Sequence, residues 1–257
     1  MNLVHDFRYG KIIYNTLDKY VGKSLKLYGE FSQGEADLFE MIVKPGACVV
    51  EVGANIGSHT IHLAQLAGKD GAVWAFEPQR LVFQILAGNM AINNLTNVHC
   101  EQKCVADAPG QVKVPILDTE TINNWGGMSL ENTSAGESVE VITLDSLKLS
   151  RCDFLKIDVE GMELQVLKGG EATINAFRPV IYAEADREDK KSELVDWLLS
   201  HKYRIFKHNP PLFNPNNYFN NPEDVFYEGN IRLVSLNVLC VPAEGSFTVQ
   251  GFDEITR

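Results

Sequence analysis

The sequence predicts an α/β fold whose mostly parallel sheet is covered by helices on both faces. Three observations lead there. Short apolar-rich runs recur at Cys48–Val52, Ala72–Phe76, Asp153–Ile157 and Val180–Ala183, and near-continuous apolar character is what a strand buried on both faces requires. Stretches of helical apolar spacing separate them, as in Leu81, Val82, Ile85, Leu86 and Met90. The first run ends in a turn carrying Gly53 and Gly57 that opens into a helix with Ile61, Leu63, Ala64 and Leu66, the entry of a βαβ unit.

Taken in order, residues 1–45 are expected to form an N-terminal cap segment across the top of the sheet, and residues 46–257 the main domain. The polar turn 28–35 precedes a short helix through Leu38, Phe39, Ile42 and Val43, which Pro45 and Gly46 end. In that turn Glu30, Gln33 or Glu35 either reaches the ligand or is only solvated. After Pro78 a helix runs to Asn93 and Asn94, and a third strand is expected over Val98–Val105. Asp107, just past it, either contacts a ligand or starts the Pro109-Gly110 turn. Residues 111–142 read as a hairpin-like insertion around a Gly- and Asn-rich loop, in which Trp125 either covers the site or packs. The strand Asp153–Ile157 delivers Asp158-Val159-Glu160-Gly161 to a helix that closes on Gly169-Gly170, and Val180–Ala183 ends at Glu184. A helix through Leu194 and Leu198, a strand near Tyr203–Phe206 and a last strand over Leu236–Val241 complete the pattern. Residues 208–230, rich in Asn, Pro and aromatics, are expected to form an ordered lid loop.

At 257 residues and 45% hydrophobic content, the chain can bury a full core. A net charge of −11 argues against a nucleic-acid partner. The first residues lack a signal-peptide core and no apolar run approaches the roughly 20 residues of a membrane span, so the expected location is the cytoplasm. Five cysteines without a C-x-x-C pair fit buried thiols. The sequons Asn94-Leu95-Thr96 and Asn132-Thr133-Ser134 read as chance matches.

The βαβ unit suits a nucleoside ligand. Gly53 and Gly57 allow close approach of the backbone, the helix start favours a carboxylate or phosphate, and Glu77, at the tip of the second strand, can accept both ribose hydroxyls. The dinucleotide fingerprint needs three glycines as G-x-G-x-x-G, whereas here the turn reads Glu51-Val52-Gly53-Ala54-Asn55-Ile56-Gly57.

That turn, Ala75-Phe76-Glu77-Pro78, and above all Asp153-Phe154-Leu155-Lys156-Ile157-Asp158-Val159-Glu160-Gly161 followed by Glu163, Val166, Leu167 and Gly169-Gly170 resemble the FkbM family of S-adenosylmethionine-dependent methyltransferases. The resemblance covers about 46–184. It implies a Rossmann-like class I methyltransferase fold with a seven-stranded, mostly parallel sheet whose last strand is antiparallel. It implies S-adenosyl-L-methionine as cofactor, held by Glu51, Gly53, Ala54, Asn55, Gly57, His59, Thr60, Glu77, Gln79, Asp107 and Asp158. It also implies O-methylation of a small-molecule or glycan acceptor.

Displacement at the methyl carbon needs alignment and a proton acceptor. Asp158, Glu160 and Glu184 are the candidate catalytic carboxylates, with Asp158 nearest the transferred methyl; the helix dipole would also favour acids there without chemistry. No metal is expected, because no His or further Asp completes an evident ligand set. A nicotinamide-dependent oxidoreductase or a non-catalytic S-adenosylmethionine-binding protein are the rival readings. The acceptor's identity and the oligomeric state are left open.

Overall fold

The computed structural model describes residues 1–127, 133 and 135–256; Asn132 and Ser134 of the second sequon lie outside the described residues. The chain opens with the antiparallel hairpin β1 (Asn2–Phe7) and β2 (Gly10–Asn15), then α1 (Val21–Tyr28) and α2 (Gln33–Ile42). Next come β3 (Cys48–Val52), α3 (Ser58–Ala67), β4 (Ala72–Phe76), α4 (Arg80–Ile92) and β5 (Val98–Glu101). An excursion contains β6 (Cys104–Val105), β7 (Gly110–Val114), β8 (Glu137–Ile142) and a 3₁₀ turn at Leu144–Leu147. The alternation resumes with β9 (Phe154–Ile157), α5 (Glu163–Gly169), α6 (Glu171–Phe177), β10 (Val180–Glu184), α7 (Glu188–Ser200) and β11 (Tyr203–His208). The small hairpin β12 (Tyr227–Glu228) and β13 (Ile231–Arg232) precedes β14 (Asn237–Pro242) and β15 (Glu254–Ile255).

The main sheet has the order β15-β11-β14-β10-β9-β3-β4-β5. Strands β10, β9, β3, β4 and β5 are parallel, and β14 inserts antiparallel between β10 and β11. The sheet has eight strands instead of seven, because Ile255 and Glu254 pair with Ile205 and Phe206 along the β11 edge. A two-residue strand carries no readable period, so the sequence placed the last strand one element too early. The strand expected over 98–105 is also two strands. Residues 102–103 interrupt it and β6 leaves the main sheet to pair with β8, which in turn pairs with β7.

Side-chain alternation divides the core. Val50, Val52, Leu155, Ile157, Ile181 and Ala183 face Val166, Leu167, Ile174, Leu194 and Leu198 of α5, α6 and α7. Val49, Val73, Phe154 and Tyr182 face Leu38 and Phe39 of α2 and Leu63 and Ala64 of α3. Because side chains repeat every second residue, Glu51, Lys156 and Glu184 fall on the α2 and α3 face. The register pairs Glu51 with Lys156 and Glu184 with Asn237, bringing Asn237 to that face as well.

The N-terminal hairpin lies against α4. Asn89 receives the Ile13 amide at 2.6 Å and donates to the Ile13 carbonyl at 3.0 Å. Residues 208–230 are tied to α1 by a small core of Tyr28, Phe213 and Phe226, and to Glu30 just beyond it, which accepts from Asn214 and the Tyr218 amide. Among the described residues, no helix is long and apolar enough to cross a membrane.

Candidate active site

Two adjoining depressions lie at the C-terminal ends of β3, β4, β9 and β10. One is a narrow, mostly apolar cleft lined by Phe76, Glu77, Gln79, Val105, Trp125 and Met162. The other is a cavity of about 420 Å³ whose wall includes Glu35, Glu51, His59, Lys156, Glu184 and Asn237. They share Gly53, Glu77, Gly126, Asp158 and Glu160.

The turn after β3 is built by a close approach of two backbones. Gly53 has φ +83°, and a Cβ there would lie 1.8 Å from the Asp158 carbonyl oxygen. Asn55 adopts the left-handed conformation at φ +51°, which Asn tolerates better than most residues. The Asn55 amide donates to Glu77 Oε2 at 3.0 Å and the Gln79 amide to Oε1 at 2.9 Å. Each carboxylate oxygen therefore keeps a further lone pair for a ligand hydroxyl. Burial pushes Glu77 up to about 7. The Gln79 side chain is spent on capping α4, accepting from the Leu81 and Val82 amides at 2.7 and 3.3 Å.

Glu51 and Lys156 form the floor. Glu51 is 1% exposed and accepts from the Thr60 hydroxyl at 2.6 Å; Lys156 Nζ lies 3.6 Å from Glu51 Oε1 and 3.2 Å from Asp158 Oδ2. Burial acts to lower the Lys156 pKa, but Asp158, Glu51 and Glu35 outweigh it and hold the ammonium charged. Glu35 is buried, which raises its pKa, and accepts from the Ser32 hydroxyl at 2.8 Å. Burial drives His59 down to about 3, so its ring is neutral, and its Nε2 has no hydrogen-bond partner among the described residues.

The opposite wall is acidic. Glu160, at φ +55°, is pushed up to about 7 by burial and by Asp158, while Arg187 binds it at 2.6 Å. Glu184 is raised to about 10 by burial and by Asp158, Glu160 and Asp186, and its Oε2 is buried without a partner among the described residues.

A roof closes the cleft. Asp18, 3% exposed, accepts from the Tyr20 and Gly22 amides and from the Trp125 backbone amide. Asn123 exchanges backbone hydrogen bonds with Leu17 and Lys19. The loop presses on the turn below so closely that a Cβ at Gly126 would lie 2.4 Å from Asn55 Nδ2. Trp125 is 3% exposed and packs in the core cluster containing Ala54 and Ile56, and its indole N–H has no partner among the described residues.

The sequence-nominated residues thus divide. Glu51, Gly53, Ala54, Asn55, His59, Glu77, Asp158, Glu160 and Glu184 line the cavity, and Gln79 lines the cleft. Gly57 starts α3 at φ +87°, and Thr60 is fully buried, serving Glu51. Asp107 is exposed outside both linings, where Lys103, Cys104 and Val105 stand instead. Of the three polar candidates in the 28–35 turn, Glu35 reaches the cavity, whereas Glu30 and Gln33 bond elsewhere. None of the lid aromatics is among the lining residues; Leu212 and residues 233–237 line the mouth. Lys156, Asp186, Arg187 and Asn237 were not singled out. A lysine inside an apolar strand was the one readable signal for Lys156, since unpaired buried lysines are rare.

The sheet order, its antiparallel β14 and the cleft at the strand ends define a Rossmann-like methyltransferase fold. A solved structure, Methyltransferase FkbM from Methylobacillus flagellatus KT, aligns with TM-score 0.51 at 18% identity, covering 86% of this chain and 55% of that one, so this chain spans about half its length. The chain belongs to the Methyltransferase FkbM domain family, whose model matches residues 51–205. Two relatives are similar in sequence. Hexuronic acid methyltransferase AglP of Haloferax volcanii is 27% identical over 179 residues, with 65% of this chain and 71% of that protein covered. Methyltransferase sdnD of Sordaria araneosa is 25% identical over 154 residues, with 47% and 59% covered.

Proposed function

We propose that the protein is an S-adenosylmethionine-dependent O-methyltransferase acting on a hydroxyl of a sugar, glycan or related small molecule. The observation that carries this reading is the junction of the two depressions. A narrow apolar cleft with a ribose-type acid meets a carboxylate-lined cavity at Gly53, Glu77, Gly126, Asp158 and Glu160. Family membership and a relative named for methylating a hexuronic acid support a sugar as acceptor.

The residues fit the cofactor. Glu77 retains one acceptor site on each oxygen for the two ribose hydroxyls, and the Trp125 N–H, without a partner among the described residues, supplies a donor in the same cleft. Glu51 and Glu35 offer carboxylates to the ammonium end, and Asp158 stands at the junction. When bound, the cofactor supplies an electrophilic methyl group on a sulfonium. The protein's task is to aim the acceptor oxygen along the line of displacement and receive its proton. Asp158 faces the transfer point, and Glu160, held near neutrality, is the better matched proton acceptor, since a general base works best with a pKa near the operating pH. Glu184 stands behind both as the remaining candidate.

Thermal-shift measurements with S-adenosylmethionine, S-adenosylhomocysteine and NAD test the cofactor, and stabilisation by NAD alone would refute the reading. A screen of glycosides and alcohols with labelled cofactor tests the reaction. Asp158→Ala is expected to abolish transfer, and Glu160→Gln to slow it by about 10²–10⁴-fold, the usual contribution of a general base. Full activity in both would remove the carboxylates from the mechanism.

A further inference from the structure

The two halves of the cavity differ in origin and in chemistry. The turn at Gly53 and the acids Asp158 and Glu160 lie within residues 51–205, the stretch that the family model matches. Among the described residues, the large apolar side chains of the lining all come from outside that stretch: Tyr20, Val21 and Phe31 from before it, and Leu212, Leu233, Val234 and Leu236 from after it. The flanking segments of this chain therefore add an apolar wall to a cavity whose reactive groups belong to the family domain.

The wall runs from the interior to solvent. At its inner end the Phe31 ring lies 5.7 Å from that of His59, which is 6% exposed. Nearer the mouth, backbone bonds fix it: the Leu212 amide donates to the Leu233 carbonyl at 3.2 Å, and the Leu233 amide to the Phe226 carbonyl at 2.9 Å. The hairpin of β12 and β13 carries it outward. Ile231 pairs directly with Glu228 and so shares its face, and Glu228 accepts from the Tyr20 hydroxyl at 3.4 Å and lies 3.2 Å from Lys19 Nζ. Val234 is 40% exposed and Ile231 73% exposed. Single exposed apolar side chains are ordinary on a protein surface; these two border the mouth of one cavity and prolong its apolar lining.

We infer, building on the methyltransferase reading above, that the acceptor is amphipathic. Its hydroxyl sits at Asp158 and Glu160, and an alkyl or aryl group on the same molecule lies along Tyr20, Leu212, Leu233 and Val234 and out over Ile231. An acceptor held at those two acids shares the cavity with the wall, so a substituent directed toward the mouth meets apolar side chains. The Tyr20 hydroxyl is already spent on Glu228. The wall therefore selects by displaced water, a gain that scales with the apolar area covered.

The test uses the full chain and the methyl, butyl and hexyl β-glucosides, which differ only in apolar length. Binding is measured by calorimetry with and without saturating S-adenosylhomocysteine. Complete burial of a methylene raises affinity about fourfold, and a wall that covers one side of the chain should give about twofold, so hexyl is expected to bind about 30-fold tighter than methyl. Ile231→Ser should narrow the hexyl-to-methyl ratio at least threefold, and Ile231→Met should keep it. The inference is overturned by hexyl binding no tighter than methyl, by a ratio indifferent to Ile231→Ser, or by no measurable binding of any of the three. It is also overturned if Ile231 governs dimer formation or sedimentation with phosphatidylcholine vesicles instead of the ratio, which would assign the apolar margin to a second copy or to a lipid surface. Failure of the methyltransferase reading shows separately, as absence of S-adenosylhomocysteine binding, and leaves the glucoside comparison decisive.

Discussion

Replacing Lys156 with Met should destabilise the protein by about 3–5 kcal/mol at pH 8, the usual result of removing one partner from a buried ion pair. The ammonium is 3% exposed and sits 3.6 Å from Glu51, itself 1% exposed, and 3.2 Å from Asp158, which is 45% exposed. At an effective dielectric near 20, one such pair is worth about 4 kcal/mol, and solvent screening discounts the Asp158 share. The Glu51 contact therefore dominates. Burial already raises the Glu51 pKa and Lys156 opposes that rise, so the variant's Glu51 is raised further. A carboxyl raised above its unfolded value contributes stability that is present below the unfolded pKa and lost as pH rises through the folded one. The variant should thus lie close to wild type near pH 5 and fall away toward pH 8. Urea unfolding followed by circular dichroism at both pH values measures this. Adding Glu51→Gln should recover part of the loss at pH 8. A deficit below about 1 kcal/mol at pH 8, or one equal at both pH values, would refute the reasoning.

Three further outcomes are expected. Glu77 is held up to about 7 by burial; under its proposed role as the ribose-binding carboxylate, calorimetric affinity for S-adenosylhomocysteine should rise with pH to about 7 and then level, with Glu77→Gln flattening the profile and weakening binding. Glu160→Asn relieves a left-handed backbone that costs most L-residues about 1–2 kcal/mol but gives up the Arg187 ion pair; the two offset, so its Tm should stay within about 3 °C of wild type, read by calorimetry, while methyl transfer falls. Trp125→Phe removes a buried donor that has no partner among the described residues, so the ligand-free protein should keep or gain stability while cofactor affinity drops about 2–13-fold, the value of one hydrogen bond.

Much of the frame was legible because it rests on local pattern. Apolar runs and helical spacing located β3, β4, β9, β10 and α4, and the Gly53–Gly57 turn marked the binding edge without knowledge of what lay opposite. Asp158, Glu160 and Glu184 could be nominated because each stands at or just past the end of a strand at that edge. The exposed Asp107 shows where such reasoning stops: chain position placed it at a strand tip, but the chain had already left the main sheet at residue 102. The two-residue β15 was likewise invisible, since its pairing with β11 depends on a partner some fifty positions away.

Sequence alone determined the fold class, the family resemblance and the acids at the strand tips, because periodicity and short motifs act over neighbouring residues. Only the tertiary structure decided which side chains share one cavity. Strand register sets Lys156 beside Glu51 and Asn237 opposite Glu184, and the docking of residues 17–22 onto the 123–127 loop turns Trp125 from a loop aromatic into the buried roof of the cleft. Those pairings join segments 50 to more than 100 residues apart, and burial among them is what shifts Glu77, Glu160 and Glu184 toward neutrality or beyond. The chemistry of the site therefore arises from desolvation and like-charge crowding that exist only once the sheet has assembled.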